Sequence, residues 1–339
     1  MSLRTNHPNR LWFRIPLLLL TLLAIGCSTT TAPQTPNAPD APTKVTLLLN
    51  WYPEAEHGGY YAALVHGMYR EAGLDVKILA GGPETPVIQQ VASGRVTFGV
   101  INADNILYGR AEQAPVVALM APLQTSPRCI LVHESSGIRN FSQLKDMTLA
   151  MSTTQAFSFY LRKKVPLTGV DIVPYPGNVA RFLTDKNYGQ QGYVFSEPYL
   201  AKKNGGDPHV LMLADLGFNP YTSLLFTTEK LIAEQRQLVE KMKSASVLGW
   251  QKYLAAPAET NAYIHKLNPE MDLDVLEYGA NAIVPLSKDK ATAGQEFGAM
   301  TLERWQTLID QMVECDQLAP GVTRANEAFQ ADLPMSRGD

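Results

Sequence analysis

Asn50-Trp51-Tyr52-Pro53-Glu54 follows directly on the apolar run Val45 to Leu49, and its residue types suit the capture of a flat polar molecule. The Trp51 ring can stack on a planar ligand for about 0.5–1.5 kcal/mol beyond the area it buries. Asn50 offers both a donor and an acceptor, and Pro53 ends the strand and fixes the turn. His57, Tyr60 and Tyr61 come next, at the start of a helical pattern. Neighbouring helix positions do not share a face, so one tyrosine is expected in the core and one toward the ligand, with Tyr60 the candidate.

Asn102 and Asp104 follow a second apolar run, Thr97 to Ile101. Ser152, Thr153, Thr154 and Gln155 form a strand-to-helix junction, where free N–H groups and hydroxyls attract an anion or a polar substituent. Glu197, after Tyr193-Val194-Phe195-Ser196, is a strand-end carboxylate able to accept two hydrogen bonds, and Asn178 lies on another loop. Each residue also has a plainer explanation. Trp51 can cap a core, His57 can be a solvated helix-start residue, Asp104 or one hydroxyl of the 152–155 cluster can be an N-cap, and Glu197 can be a first-turn acid ahead of Pro198. As a set, acidic and aromatic groups fit a neutral or cationic heterocycle better than nitrate or a sulfonate, which would want Arg or Lys.

The elements that would deliver these residues alternate as α/β units with mainly parallel strands. Strands are expected at Val45–Leu49, Leu74–Ile78, Thr97–Ile101 and Val116–Met120, with helices over Gly59–Glu71, Val87–Ala92 and Ile106–Glu112. The pattern restarts with strands at Thr148–Met151, Val170–Val173, Tyr193–Phe195 and Val210–Leu213, and a helix from about Gln155 to Lys164. After Leu224–Thr227 the chain turns helical, and the stripes through Trp250 and Trp305 read as core. Two lobes then leave a cleft, where small molecules usually bind. Loops at the carboxyl ends of parallel strands open into such a crevice.

At the amino end, Arg4, Arg10 and Arg14 precede the apolar run Ile15–Ile25, and no acid occurs before Cys27. This is the order of a secretory signal peptide. The run is shorter than the roughly 20 residues a membrane-spanning helix needs. Leu23-Ala24-Ile25-Gly26-Cys27 is similar to a bacterial lipobox, which makes Cys27 the expected lipidation site; ordinary cleavage without lipid is the alternative. Ser28 to Thr43 is rich in Thr, Pro and Ala, as in a solvated tether. Loss of residues 1–26 takes the formal net charge from −3 to −6, which argues against a nucleic-acid partner. Beyond Cys27 only Cys129 and Cys315 remain, too few for a disulfide framework or a cysteine metal cluster.

A family resemblance runs through Leu49-Asn50-Trp51-Tyr52-Pro53-Glu54, His57-Gly58-Gly59-Tyr60-Tyr61-Ala62-Ala63, Gly67-Met68-Tyr69, Gly81-Gly82-Pro83, Ala92-Ser93-Gly94-Arg95-Val96-Thr97-Phe98-Gly99-Val100 and Ser196-Glu197-Pro198-Tyr199. In this order and spacing, over most of residues 45–285, the chain resembles the NMT1/THI5-like (SsuA/THI5-like) family, which includes periplasmic solute-binding proteins of ABC importers for thiamine-precursor pyrimidines. The resemblance implies a type II periplasmic binding-protein fold, α/β, with two lobes, a ligand cleft and C-terminal helices. The expected division is a signal peptide over 1–26, a tether over 27–43, lobe I over 44–130 and 223–339, and lobe II over 131–222. Crossings are expected near Arg128–His133 and Asn219–Leu225. Implied partners are an aminopyrimidine or related heterocycle, a permease with its ATPase, and the membrane through the lipid. Implied location is the extracytoplasmic face of the cell envelope. The family's enzyme branch, the thiamine pyrimidine synthases, consumes pyridoxal phosphate held on a lysine and a histidine. Ile101 and Asn105 stand at those positions, and an imine cannot form on isoleucine. A non-enzyme without cofactor or metal is therefore expected, with a synthase-like enzyme or a sensor of the same fold as alternatives.

Overall fold

The computed structural model describes residues 41–288 and 293–330. The expected signal peptide, Cys27 and the tether up to Asp40 lie outside the described residues.

The β-branched and leucine-rich segment β1 (Thr43–Leu48) pairs in parallel with β2 (Leu74–Leu79), in a register running from Thr43 opposite Leu74 to Leu48 opposite Leu79. In β2, Leu74 and Val76 are buried while Asp75 and Lys77 are exposed, so the period-2 alternation puts one face on the core. β3 (Phe98–Ile101) lies on the other side of β1. β4 (Val116–Met120) is apolar and wholly buried, as a strand covered on both faces must be. The second sheet contains β5 (Arg128–His133), β6 (Thr148–Ala150), β7 (Asp171–Val173), β8 (Tyr188–Tyr193) and β9 (Pro208–Met212). The last strand, β10 (Leu224–Thr228), returns to the first sheet.

Strand order is β2-β1-β3-β10-β4 in one sheet and β7-β6-β8-β5-β9 in the other. The two orders match position for position, with β10 and β5 each the antiparallel insert in fourth place. Residues 121–127 and 213–223 are the connections between sheets. The crossing expected at Arg128–His133 is thus a strand of the second sheet, and the boundary drawn at 130/131 falls inside it. Two other expectations need correction. The helix over Gly59–Glu71 breaks into Gly58–Val65 and Met68–Glu71 at Gly67, whose φ of +79° only glycine adopts freely. The strand expected at Tyr193–Phe195 ends at Tyr193 and begins at Tyr188.

Trp250 and Trp305 are both fully buried, as the helical stripes imply. The helix Arg236–Ala255 packs on Gly58–Val65 at a glycine contact, where a Cβ on Gly249 would lie 2.3 Å from the Gly59 carbonyl oxygen. The helix Leu273–Leu286 packs beside them. The helix Leu302–Glu314 does not return to the first lobe alone. Trp305 and Met312 share one apolar cluster with Ile106 of the first lobe and Phe157 and Leu161 of the second.

Candidate functional site

The carboxyl ends of β1 and β3 and the amino end of β10 converge with those of β6, β7 and β8 and the amino end of β5. Both lobes therefore deliver loop residues to one place, beside the two connections.

On the first lobe, Asn50 leaves β1 and is fixed from behind. Its side-chain oxygen lies 3.0 Å from His57 Nε2, and its amide donates to Glu56 Oε1 at 3.3 Å. His57 is fully buried, with Nε2 also 3.2 Å from Glu56 Oε1 and Nδ1 without a partner among the described residues. It is thus not solvated, and its Nε2 holds the Asn50 side chain from behind. Glu56 Oε2 accepts from the Ser223 hydroxyl at 3.3 Å, and the Tyr60 hydroxyl donates to the Ser223 carbonyl at 2.8 Å. Tyr60 and Tyr61 are both buried, so the expectation that one of the pair faces the cleft fails; the Tyr60 ring meets Trp250 edge-on. Rings from the later helices cover both, Trp250 against Tyr60 and Tyr263 against Tyr61. Ser223 sits at φ +56°, a left-handed conformation that costs a non-glycine residue energy. The hydrogen bonds to Tyr60, Glu56 and Asn102 hold it there.

Trp51 is half-buried and belongs to none of the packed apolar clusters. Its ring meets the exposed Tyr52 edge-on at 5.4 Å. The loop carrying it rests on the end of β2 at Gly81, whose N–H donates to the Trp51 carbonyl at 3.0 Å and where a Cβ would strike the Leu49 carbonyl oxygen at 2.1 Å. Asn102 spans the lobes: its oxygen accepts from Ser223 N–H at 3.2 Å and its amide donates to the Tyr193 hydroxyl at 3.1 Å. Asn102 also occupies the N-cap position of the helix Ala103–Ala111, so Asp104 is a first-turn residue and not the cap. Asp104 is buried, and its Oδ1 has no hydrogen-bond partner among the described residues. Burial pushes its carboxyl up from the ordinary range, while the Arg128 guanidinium and backbone N–H groups pull it back.

On the second lobe, the 152–155 cluster divides. The Ser152 hydroxyl accepts from the N–H groups of Thr154 and Gln155, both at 3.2 Å, and so closes the turn that leads into the helix Ala156–Lys164, whose N-cap position is Gln155 without a side-chain cap bond. Thr153, Thr154 and Gln155 are exposed, and Gln155 Oε1 accepts from Arg128 at 3.3 Å. Asn178 is exposed and accepts from Ala180 N–H at 3.0 Å, closing its own turn. Glu197 accepts from Tyr193 N–H and from the Tyr175 hydroxyl, both at 2.8 Å. Burial raises its pKa and these two bonds lower it. Its carboxylate braces the end of β8 before it can serve a ligand. Across the cleft, burial first, and the Glu56 and Glu197 carboxylates after it, push Glu54 well above the ordinary carboxylate range.

Arg128, Tyr193, Tyr175, Glu54 and Ser223 belong to the site and were not among the residues expected from sequence. The Arg128 guanidinium stacks on Tyr193 at 4.1 Å and on Phe157 at 4.8 Å from the ring centroids, and donates to the Tyr193 hydroxyl at 3.1 Å. Burial pushes the Tyr193 hydroxyl up to about 12 despite the nearby cation. A lone basic residue opening the apolar run Cys129–Val132 was the available signal for Arg128. Ile101 and Asn105 lie at the end of β3 and in the helix that follows, where neither supplies an amine. Among the described residues no group of three or more His, Cys, Asp and Glu could hold a metal ion.

A family model described as NMT1/THI5 like matches residues 54–260. The riboflavin-binding protein RibY of Chloroflexus aurantiacus is 25% identical over 92% of this chain and 94% of its own. The formylaminopyrimidine-binding protein of Halalkalibacterium halodurans is 23% identical over 94% and 97%. A 4-amino-5-hydroxymethyl-2-methylpyrimidine phosphate synthase of Candida albicans is 27% identical over a shorter share, 68% and 74%. Among solved structures, the periplasmic aliphatic sulphonate binding protein SsuA of Escherichia coli superposes with a TM-score of 0.66 at 14% identity, over 86% of this chain and 93% of its own. The architecture is thus the type II periplasmic binding-protein fold.

Proposed function

The chain belongs to the NMT1/THI5-like family, and from that premise we propose that it is an extracytoplasmic solute-binding protein of an ABC importer. In this reading it captures a small planar heterocycle, with an aminopyrimidine first among the candidates, by closure of the two lobes, and hands it to a permease. The observation that carries the proposal is the convergence of both sheets' strand ends on one site, tied across the lobes by the Asn102–Tyr193 hydrogen bond at 3.1 Å. A hinge site of this kind binds by closure. Trp51 supplies a ring face that no apolar cluster claims, and Asn50, Asp104 and Arg128 supply polar atoms. Two of the similar proteins are named for binding a heterocycle, riboflavin or a formylaminopyrimidine. Ile101 and Asn105 stand against the synthase chemistry, and Cys27 is the proposed lipid anchor.

Mass spectrometry of small molecules released on denaturing the purified protein should find a planar nitrogen heterocycle. Calorimetry on residues 41–339 should then give tight binding to a 4-aminopyrimidine, to thiamine or to riboflavin, and none to an alkanesulfonate; tight binding to the sulfonate alone refutes the proposal. Cys27→Ser should release the full chain from membranes, and retention refutes the anchor.

A further inference from the structure

The Arg128 guanidinium is held by a stack on Tyr193 and Phe157 and by two bonds from Nη2, to the Tyr193 hydroxyl at 3.1 Å and to Gln155 Oε1 at 3.3 Å. Both partners belong to the second lobe. Its Nε and Nη1 make no hydrogen bond among the described residues, so the remaining donors of the planar fork are unused. On the first lobe, Asp104 is buried to 9% exposure and its Oδ1 accepts no hydrogen bond among the described residues. An unsatisfied buried carboxylate oxygen is costly and is retained where something else completes it. The two are brought to one junction by the Tyr193 hydroxyl, which accepts from Arg128 and from Asn102, both at 3.1 Å, and Asn102 is the N-cap of the helix whose first turn carries Asp104; among the described residues no ion pair joins Arg128 and Asp104. Unused donors on one lobe and an unused acceptor on the other therefore lie at the junction that the two lobes share.

We propose that Arg128 and Asp104 form the specificity pair of this site, reading two adjacent atoms on one edge of the ring ligand: Arg128 donates to an acceptor and Asp104 accepts from the neighbouring N–H. This rests on the reading of the site as a heterocycle receptor and goes further, because it names the edge. The pair requires an acceptor and a donor side by side, as in the ring nitrogen and amino group of a 4-aminopyrimidine or the C=O and N–H of a ring imide. It also turns away simple anions, since an oxyanion drawn to Arg128 would meet the Asp104 carboxylate. Because the two residues stand on opposite lobes, a ligand that satisfies both ties the lobes together.

The test compares 4-aminopyrimidine with 4-methylpyrimidine, which keeps the ring nitrogen and shape but lacks the N–H. The wild-type chain should prefer the amino ring by about 10- to 100-fold, the range of a hydrogen bond to a charged partner. Asp104→Asn and Asp104→Ala should lose most of that preference by weakening the amino ring alone, with the methyl ring unchanged within about twofold. Arg128→Lys, which loses the planar fork and the stack, should weaken both rings together. Melting curves of the ligand-free variants serve as the fold control, and Asp104→Asn should melt no lower than wild type because it removes a buried charge. If both rings bind to wild type but the Asp104 variants weaken them equally, or leave the preference intact, the pairing is overturned while the receptor reading stands. Failure of wild type to bind the amino ring overturns the pairing, and failure to bind thiamine and riboflavin as well overturns the receptor reading with it.

Discussion

Replacing Trp51 by alanine separates ligand recognition from folding, because the structure places this ring where the two differ in magnitude. Trp51 is half-buried, lies outside the apolar clusters and meets one ring, Tyr52, at 5.4 Å. An edge contact of this kind is worth about 0.5–1.5 kcal/mol, so Trp51→Ala should lower the melting temperature by only about 1–6 °C in a domain of this size. Trp250, fully buried between Tyr60 at 5.7 Å and Tyr253 at 6.1 Å, is the internal comparison. Its truncation should cost about 3–5 kcal/mol by cavity formation. A bound ring that covered roughly 60 Å² of the Trp51 face would contribute about 1.5 kcal/mol by burial at about 25 cal/mol per Å², and stacking adds about 0.5–1.5 kcal/mol. The sum, about 2–3 kcal/mol, corresponds to a loss of affinity of about 30- to 150-fold. Calorimetric titration with the ligand found on the purified protein, beside thermal scans of both variants, reads the two effects. A melting drop for Trp51→Ala as large as that of Trp250→Ala would mean that the ring caps the core. Affinity unchanged within about threefold would mean that no ligand lies on it.

Two further perturbations address the scaffold. The Asp207 carboxylate accepts from His133 Nδ1 at 2.6 Å, Lys186 Nζ at 2.8 Å and Ser135 N–H at 3.0 Å, and these bonds hold it well below the ordinary carboxylate range. A depressed carboxylate stabilises the fold above its unfolded pKa of about 3.9 and loses that contribution as pH falls below it, so Asp207→Asn should melt lower than wild type at pH 7 and converge with it toward pH 2; a gap that stays constant in pH-dependent thermal scans would show that the contribution is not electrostatic. Gly249→Ala would place a Cβ 2.3 Å from the Gly59 carbonyl oxygen and 2.5 Å from the Ala63 Cβ. The gain of about 1 kcal/mol from better helix propensity should be overturned by a packing cost of more than about 2 kcal/mol as the two helices part, and a denaturant midpoint above wild type would contradict the close contact.

Most of the fold was legible because its signals are local. The alternation of Leu74, Val76 and Ile78, the apolar run Val116–Met120 and the helical stripe through Trp250 each report a strand or helix that faces one core. β8 was not legible, because Tyr188-Gly189-Gln190-Gln191-Gly192-Tyr193 carries no apolar alternation. Its glycines are set by neighbours distant in sequence: a Cβ on Gly189 would lie 2.7 Å from Met147 Cε, and one on Gly192 would lie 2.9 Å from Leu131 Cδ1. Gln191 is buried because it accepts from Ser152 N–H at 2.6 Å across 39 residues.

The site divides along the same physical line. Strand-end residues such as Asn50, Trp51 and Asn102 could be found from the rule that parallel strands deliver loops to a crevice. The roles of His57, Tyr60 and Glu197 could not, since each is decided by partners brought in by another part of the chain: Asn50 and Glu56 for His57, Ser223 for Tyr60, Tyr175 for Glu197. Arg128 went unrecognised for a further reason. The acidic and aromatic residues visible in the sequence argued for a site without a cation, whereas the fold sets one arginine against Tyr193, whose hydroxyl also accepts from Asn102 at the start of the Asp104 helix. One cation and one unsatisfied carboxylate on opposite lobes favour a dipolar ring edge over either a bare cation or a bare anion, which is a narrower chemistry than the residue types alone imply.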